Sequence, residues 1–118
     1  MHHFPDYVRV TFNGYEESFE PAVQRVEMER GPAKQSIINS RVIMQVSATL
    51  MFESRRDIER FEDWYFDTIQ RVGYFQWQHP RLGRAITARF VGGQIGRLVP
   101  TGPAFDTGQR TVTIEYQR

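Results

Sequence analysis

Residues 42–53 read VIMQVSATLMFE and residues 54–80 read SRRDIERFEDWYFDTIQRVGYFQWQHP, and the change of period between them decides the fold. In the first segment the side chains alternate. Val42, Met44, Val46, Ala48, Leu50 and Phe52 share one face, and Ile43, Gln45, Ser47, Thr49 and Met51 share the other. A period of two predicts a long strand with its first face toward a core. At Ser54 the period lengthens. Ser54 suits an N-cap, and Asp57, three residues on, suits the free N–H groups and positive dipole of a first helical turn. Ile58, Phe61, Tyr65, Ile69 and Val72 then recur at helical spacing, which predicts a helix over Ser54–Val72 with Gly73 as its C-terminal cap. That helix is expected to bury Ile58, Phe61, Tyr65 and Ile69 against the sheet, with Trp64 at the edge. Tyr74–His79 follows as a short aromatic strand stopped by Pro80. Phe75 and Trp77, two apart, are expected to pack beneath the helix.

Toward the N-terminus, Tyr7–Phe12 alternates with Val8, Val10 and Phe12 on one face, and Asn13-Gly14 is a two-residue turn signal. Ala22–Arg30 reads as a strand with Val26 and Met28 inward, expected to pair with Val42–Phe52. Gly31, Pro32, Ala33, Lys34, Gln35, Ser36, Ile37, Ile38, Asn39 and Ser40 show no period. The segment exceeds the usual hairpin loop of about 2–5 residues. It reads either as a binding loop on a rigid scaffold or as a plain surface connection.

Toward the C-terminus, Arg81-Leu82-Gly83 turns into a strand over Arg84–Val91 with Ile86, Ala88 and Phe90 on one face. Gly92-Gly93 turns again into Gln94–Val99, and Pro100–Gly108 is a loop. Thr111–Tyr116 closes the chain with Val112, Ile114 and Tyr116 aligned. The sum is a mainly β (α+β) fold: about seven strands in a β-sandwich or partly open barrel, with one flanking α-helix over about 54–72. Its 118 residues suit a single domain, 1–118.

Composition removes several chemistries. With no cysteine there is no disulfide, no thiolate nucleophile and no Cys-ligated zinc. No apolar run approaches the roughly 20 residues of a membrane span, so no membrane insertion is expected. The start lacks the basic-then-apolar pattern of a signal peptide. Fourteen of the 15 basic residues are arginine, set against 14 acidic ones for a net charge of +1. That balance favours an interface-forming protein over a nucleic-acid binder. His2, His3 and His79 have no metal-site spacing, and His79 before Pro80 reads as a surface turn residue. Asp57, Glu59, Glu62, Asp63 and Asp67 look like a carboxylate cluster, but on a helical wheel Glu59, Asp63 and Asp67 share the polar face with Arg56, Arg60 and Arg71, which predicts an ion-paired exposed face. Gly92-Gly93-Gln94-Ile95-Gly96 joins strands instead of opening a helix, so it does not cradle phosphate. No catalytic constellation is present. The expectation is a non-enzyme without cofactor or metal. A base-stacking platform on Phe75 and Trp77, as in small nucleic-acid-binding barrels, is the alternative to their packing in the core.

The order of these elements resembles a known family. A long alternating strand ends at Leu50-Met51-Phe52, and Ser54-Arg55-Arg56-Asp57 opens an aromatic-rich helix. Gly73-Tyr74-Phe75-Gln76-Trp77-Gln78-His79-Pro80 closes it, and an alternating strand follows. Over residues 22–117 this is similar to the tail-tip proteins of long-tailed bacteriophages, namely the minor tail protein M of lambda-like phages and the N-terminal domain of distal tail proteins. The segment to Phe12 fits the pattern least. The resemblance implies a tail-tube-like β-sandwich in a homohexameric ring at the distal end of the virion tail, assembled in the host cytoplasm. The partners would be the tail tube protein and the hub or tip proteins, with DNA only passing through the channel. It also makes Gly31–Ser40 and the strand after it the expected contacts with neighbouring subunits. A tail tube, terminator or baseplate adaptor protein of the same fold is the variant of this reading.

Overall fold

The computed structural model describes residues 2–21, 23–26, 34–37 and 42–118, with side chains for all but 23–26 and 34–37 of these. The chain is mainly β with one flanking helix. Strands β1 (Arg9–Phe19), β4 (Ile43–Phe52), β5 (Phe75–Gln78), β6 (Ala85–Phe90), β7 (Val99–Pro100) and β8 (Gly108–Gln117) form an antiparallel sheet in the order β1-β4-β8-β6-β5. β8 is its spine. It pairs along its whole length with β4, from Ile43↔Gln117 to Phe52↔Gly108. On its other flank β6 and β7 lie in tandem, through Ala88↔Tyr116 and Val99↔Gln109.

Alternation produces the two faces expected of it. Val46, Ala48, Leu50 and Phe52 of β4, Val112, Ile114 and Tyr116 of β8, Ala88 and Phe90 of β6, and Phe75 and Trp77 of β5 are all buried. The opposite face carries Gln45, Ser47 and Thr49 beside Gln109, Thr111 and Thr113. Ser47 and Thr113 hydroxyls meet there at 3.3 Å.

The helix α1 (Arg55–Asp63) opens as expected, with the extended Ser54 accepting the Asp57 N–H at 3.1 Å. Its end differs from the expected Ser54–Val72. After Asp63 the coil widens into a π-helical turn over Trp64–Thr68, and Ile69 N–H reaches back to Trp64 O at 3.0 Å. Gln70 and Arg71 then adopt left-handed conformations, so the helix stops short of Val72, which is 68% exposed. Gly73 is therefore not a left-handed cap. A Cβ there would stand 2.6 Å from Ile69 O, so glycine is required for close approach of the chain to the helix end. Phe61, Tyr65 and Ile69 are buried as expected, while Ile58 and Trp64 are half-buried. Phe61 sits at the centre of an aromatic cluster, 5.2 Å from Phe52, 5.6 Å from Trp64 and 6.4 Å from Phe90 between ring centroids.

Three expectations for the first 40 residues change. Asn13-Gly14 does not close a hairpin. β1 runs through it, with Phe12, Asn13, Gly14 and Tyr15 standing opposite the single Ala48 as a wide bulge. Gly14 supplies the positive φ (75°) that the bulge needs, and Phe12 is thrown outward to 93% exposure instead of facing the core. Where it is described, the Ala22–Arg30 segment does not pair with Val42–Phe52, because β1 occupies that edge of β4. Its described part is β2 (Val23–Val26), which pairs with β3 (Lys34–Ile37) from Val23↔Ile37 to Val26↔Lys34. Lys34, Gln35, Ser36 and Ile37 are thus a strand and not a loop. Ala22 and 27–30, together with Gly31, Pro32, Ala33, Ile38, Asn39 and Ser40, lie outside the described residues. Finally, Gln94–Val99 is mostly irregular, with only Val99–Pro100 pairing.

One ion pair joins helix and sheet. Arg110, buried on the inner face, donates to Glu62 Oε1 at 2.9 Å and to Gly96 O at 3.1 Å. Glu62→Ala would leave that guanidinium buried without its counter-charge. The expected loss is about 2 kcal/mol, below the roughly 3–5 kcal/mol of fully buried pairs because Glu62 is partly exposed. Arg110→Met, which removes the charge and keeps the volume, should lose less. Urea midpoints for the two variants check the order.

Candidate functional site

The described part of the segment expected to carry inter-subunit contacts, Lys34–Ile37, is one strand of a two-stranded β-ribbon. β1 ends at Phe19, paired with Met44, and β2 begins at Val23, paired with Ile37. β2 and β3 pair with each other and with no strand of the six-stranded sheet. The radius of gyration of 17.9 Å exceeds the roughly 13–14 Å of a compact chain this long, and the longest dimension is 64 Å. Each ribbon strand keeps one unpaired edge among the described residues, and unpaired edges are templates for another chain.

The two outermost strands of the six-stranded sheet, β1 and β5, are tied together through the segments beside them. No backbone ladder closes β1 onto β5, so the barrel stays open. The gap is bridged at both ends. At one end residues 4–9 cross it, starting from Phe4 N–H on Gln76 O (2.8 Å) beside β5 and finishing on Met51 beside β4, with Arg60 of the helix stacked over Tyr7 at 4.1 Å. At the other end Arg81, just past β5, donates Nε and Nη2 to the two oxygens of Glu17 on β1, at 2.7 and 2.8 Å. This bidentate geometry is the strong form of the pair.

His79 lies under that clasp and overturns its reading as a surface residue. It is fully buried, with ring centroids 5.2 Å from Trp77 and 5.5 Å from Tyr116. Its Nδ1 accepts the N–H groups of Arg81 and Leu82, both at 3.1 Å, so Nδ1 carries no proton and the neutral ring holds its hydrogen on Nε2. Nε2 stands 3.6 Å from Glu17 Oε1, beyond hydrogen-bond distance. The ring therefore builds the 79–84 turn from within, together with His79 N–H to Arg84 O (3.0 Å) and Gly83 N–H to His79 O (2.9 Å). Burial, opposed by Glu17 and supported by Arg81 and Arg84, moves the imidazole below its ordinary range. The Arg81 hydrogen bond holds the Glu17 carboxyl below its own. Tyr15, which donates to Glu17 at 3.2 Å, is pushed up to about 12 by burial and then by Glu17.

The expected ion pairs of Glu59, Asp63 and Asp67 with Arg56, Arg60 and Arg71 do not form among the described residues, although that face is exposed. Asp57 meets Arg60 at 3.7 Å and Glu62 reaches Arg110, while Asp63 and Asp67 point to solvent without a salt bridge among the described residues. Phe75 and Trp77, 0% and 2% exposed, belong to the core and offer no ring face to a base. Among the described residues no three His, Asp or Glu side chains gather as a metal site, and no helix is long and apolar enough to cross a membrane.

What emerges is a class and not a chemistry: an open antiparallel sheet with one flanking helix and a ribbon left unpaired. In comparison with known proteins, the chain matches no family model and no curated protein.

Proposed function

We propose that this chain is a structural subunit of a bacteriophage tail tip, which assembles into a hexameric ring between the tail tube and the distal hub and leaves a channel for DNA. The observation that carries the reading is the β2–β3 ribbon, which stands apart from the six-stranded sheet and pairs with no further strand among the described residues. A ring needs two unlike patches that meet head to tail, and a ribbon facing a neighbour's open edge is one such pair.

A second feature supports the same assignment. The sheet face away from the helix presents amides and hydroxyls through its centre, from Gln45 to Thr49 and Gln109 to Thr113, without a cation. At its borders Arg9 and Arg89 are paired with the carboxylates of Glu53 and Glu115, so the charge there is balanced, as suits a passage that does not hold phosphates. A tube, terminator or adaptor ring of the same fold differs only in its place along the tail. The nucleic-acid-binding barrel loses its stacking platform with the burial of Phe75 and Trp77.

Purified protein should show rings by negative stain and a six-fold mass by light scattering, alone or when mixed with tail tube and hub proteins. A strict monomer that remains outside particles in a complementation assay would overturn the assignment.

A further inference from the structure

We propose that the Glu17–His79–Arg81 cluster is a proton-operated latch, which holds the two edges of the open sheet together at neutral pH and releases the Tyr15–Phe19 half of β1 on mild acidification. The inference stands on the geometry of the clasp and is independent of any tail role.

His79 is the hinge of this latch because its lone pair is already committed. Nδ1 is the acceptor for two backbone N–H groups, those of Arg81 and Leu82. A proton arriving at Nδ1 would face both donors, so the protonated ring cannot keep the turn that aims Arg81 at Glu17. The groups around the ring are Glu17 and Tyr15 from β1, Arg81 and Arg84 from the turn, and Tyr116 from β8. Only Glu17 favours a proton on the imidazole. It lies 3.6 Å from Nε2, and both its oxygens are engaged by Arg81. Burial and the two arginines oppose that proton.

The sign follows from linkage. A histidine held below its ordinary value of 6.5 in the closed form binds its proton more readily once the latch is open. The closed form keeps its full advantage above 6.5 and loses it as pH falls below that value. Glu17, held below 4.5, adds a second loss in the same direction at more acid pH. For a single proton, the open-to-closed ratio should rise between pH 7.5 and pH 5.5, by at most about ten-fold. Opening would uncover the rings of Trp77 and Tyr116 and widen the cleft, about 330 Å³, formed by Val10, Phe12, Tyr15, Pro80 and Arg81.

The test is hydrogen exchange at the Arg81 and Leu82 amides of the full chain at pH 7.5 and 5.5, corrected for intrinsic exchange rates. The expected result is a loss of protection at these two amides, by up to about ten-fold. In His79→Asn the side-chain oxygen can accept the same N–H groups but cannot titrate, so its protection should not change between the two pH values. Equal protection of the wild type at both pH values, or the same loss in His79→Asn, overturns the latch. A wild-type measurement guards against misfolding of the variant. An imidazolium seen by ring-carbon chemical shifts while both amides stay protected also overturns it.

Discussion

Phe61→Ala should cost about 3–5 kcal/mol of stability, the range found when a large buried aromatic ring is deleted. Phe61 is fully buried and stands where helix, sheet and N-terminal segment meet. Its ring is 5.2 Å from Phe52, 5.6 Å from Trp64, 6.3 Å from Phe4 and 6.4 Å from Phe90. Four aromatic neighbours are too stiff to collapse into the space left behind, which places the cost toward the upper part of the range. Two residues earlier, Glu59 is exposed, and Glu59→Ala should change stability by no more than about 0.5 kcal/mol. Denaturant melts of the two variants separate the cases. Equal small losses would contradict the packing of the helix on the sheet.

Excision of the ribbon should have the largest effect on assembly and a small one on folding. Phe19 pairs with Met44, so the next pair in register is Glu20 with Ile43. Replacement of residues 21–42 by Asn-Gly would close that pair with the two-residue turn that hairpin twist favours. The six-stranded sheet, the helix and the aromatic core all lie outside the excised part. The expected outcome is a folded protein with a cooperative melt that no longer forms rings or enters particles. If the shortened protein builds infectious tails, the ribbon is dispensable, and the subunit interface must be sought on the sheet edges.

The patterns that decided the core were short-range and therefore legible. Alternation along Val42–Phe52 and the Ser54 cap each depend on residues within one element, and both took the expected form. The errors share a different origin. His79 looked like a turn residue because it precedes Pro80, but what buries it is Glu17 and Tyr116, which come from distant strands. Asn13-Gly14 has the composition of a hairpin turn. Val10 and Thr11 pair with Leu50 and Thr49 of β4 before it, and Glu16 to Phe19 pair with the same strand after it, so the turn opens into a bulge. Lys34–Ile37 has no apolar period, so nothing local in it marks the strand that pairs with Val23–Val26. The helix end was misplaced because a π-helical turn changes the count of residues per turn, and spacing alone assumes a constant one.

The clasp across the sheet edges also bears on how long a folded molecule lasts. Glu17 and Arg81 are 64 residues apart in sequence, and they can meet only after β4, β8, β6 and β5 have been laid down between them. Contacts with so long a closure are expected to form after the rate-limiting step. An interaction absent from the folding transition state leaves the folding rate unchanged and acts on the unfolding rate. Glu17→Gln should therefore shorten the lifetime of the native state in denaturant jumps while refolding proceeds at its original speed. In this protein the clasp governs persistence, and the strand pairings beneath it govern arrival.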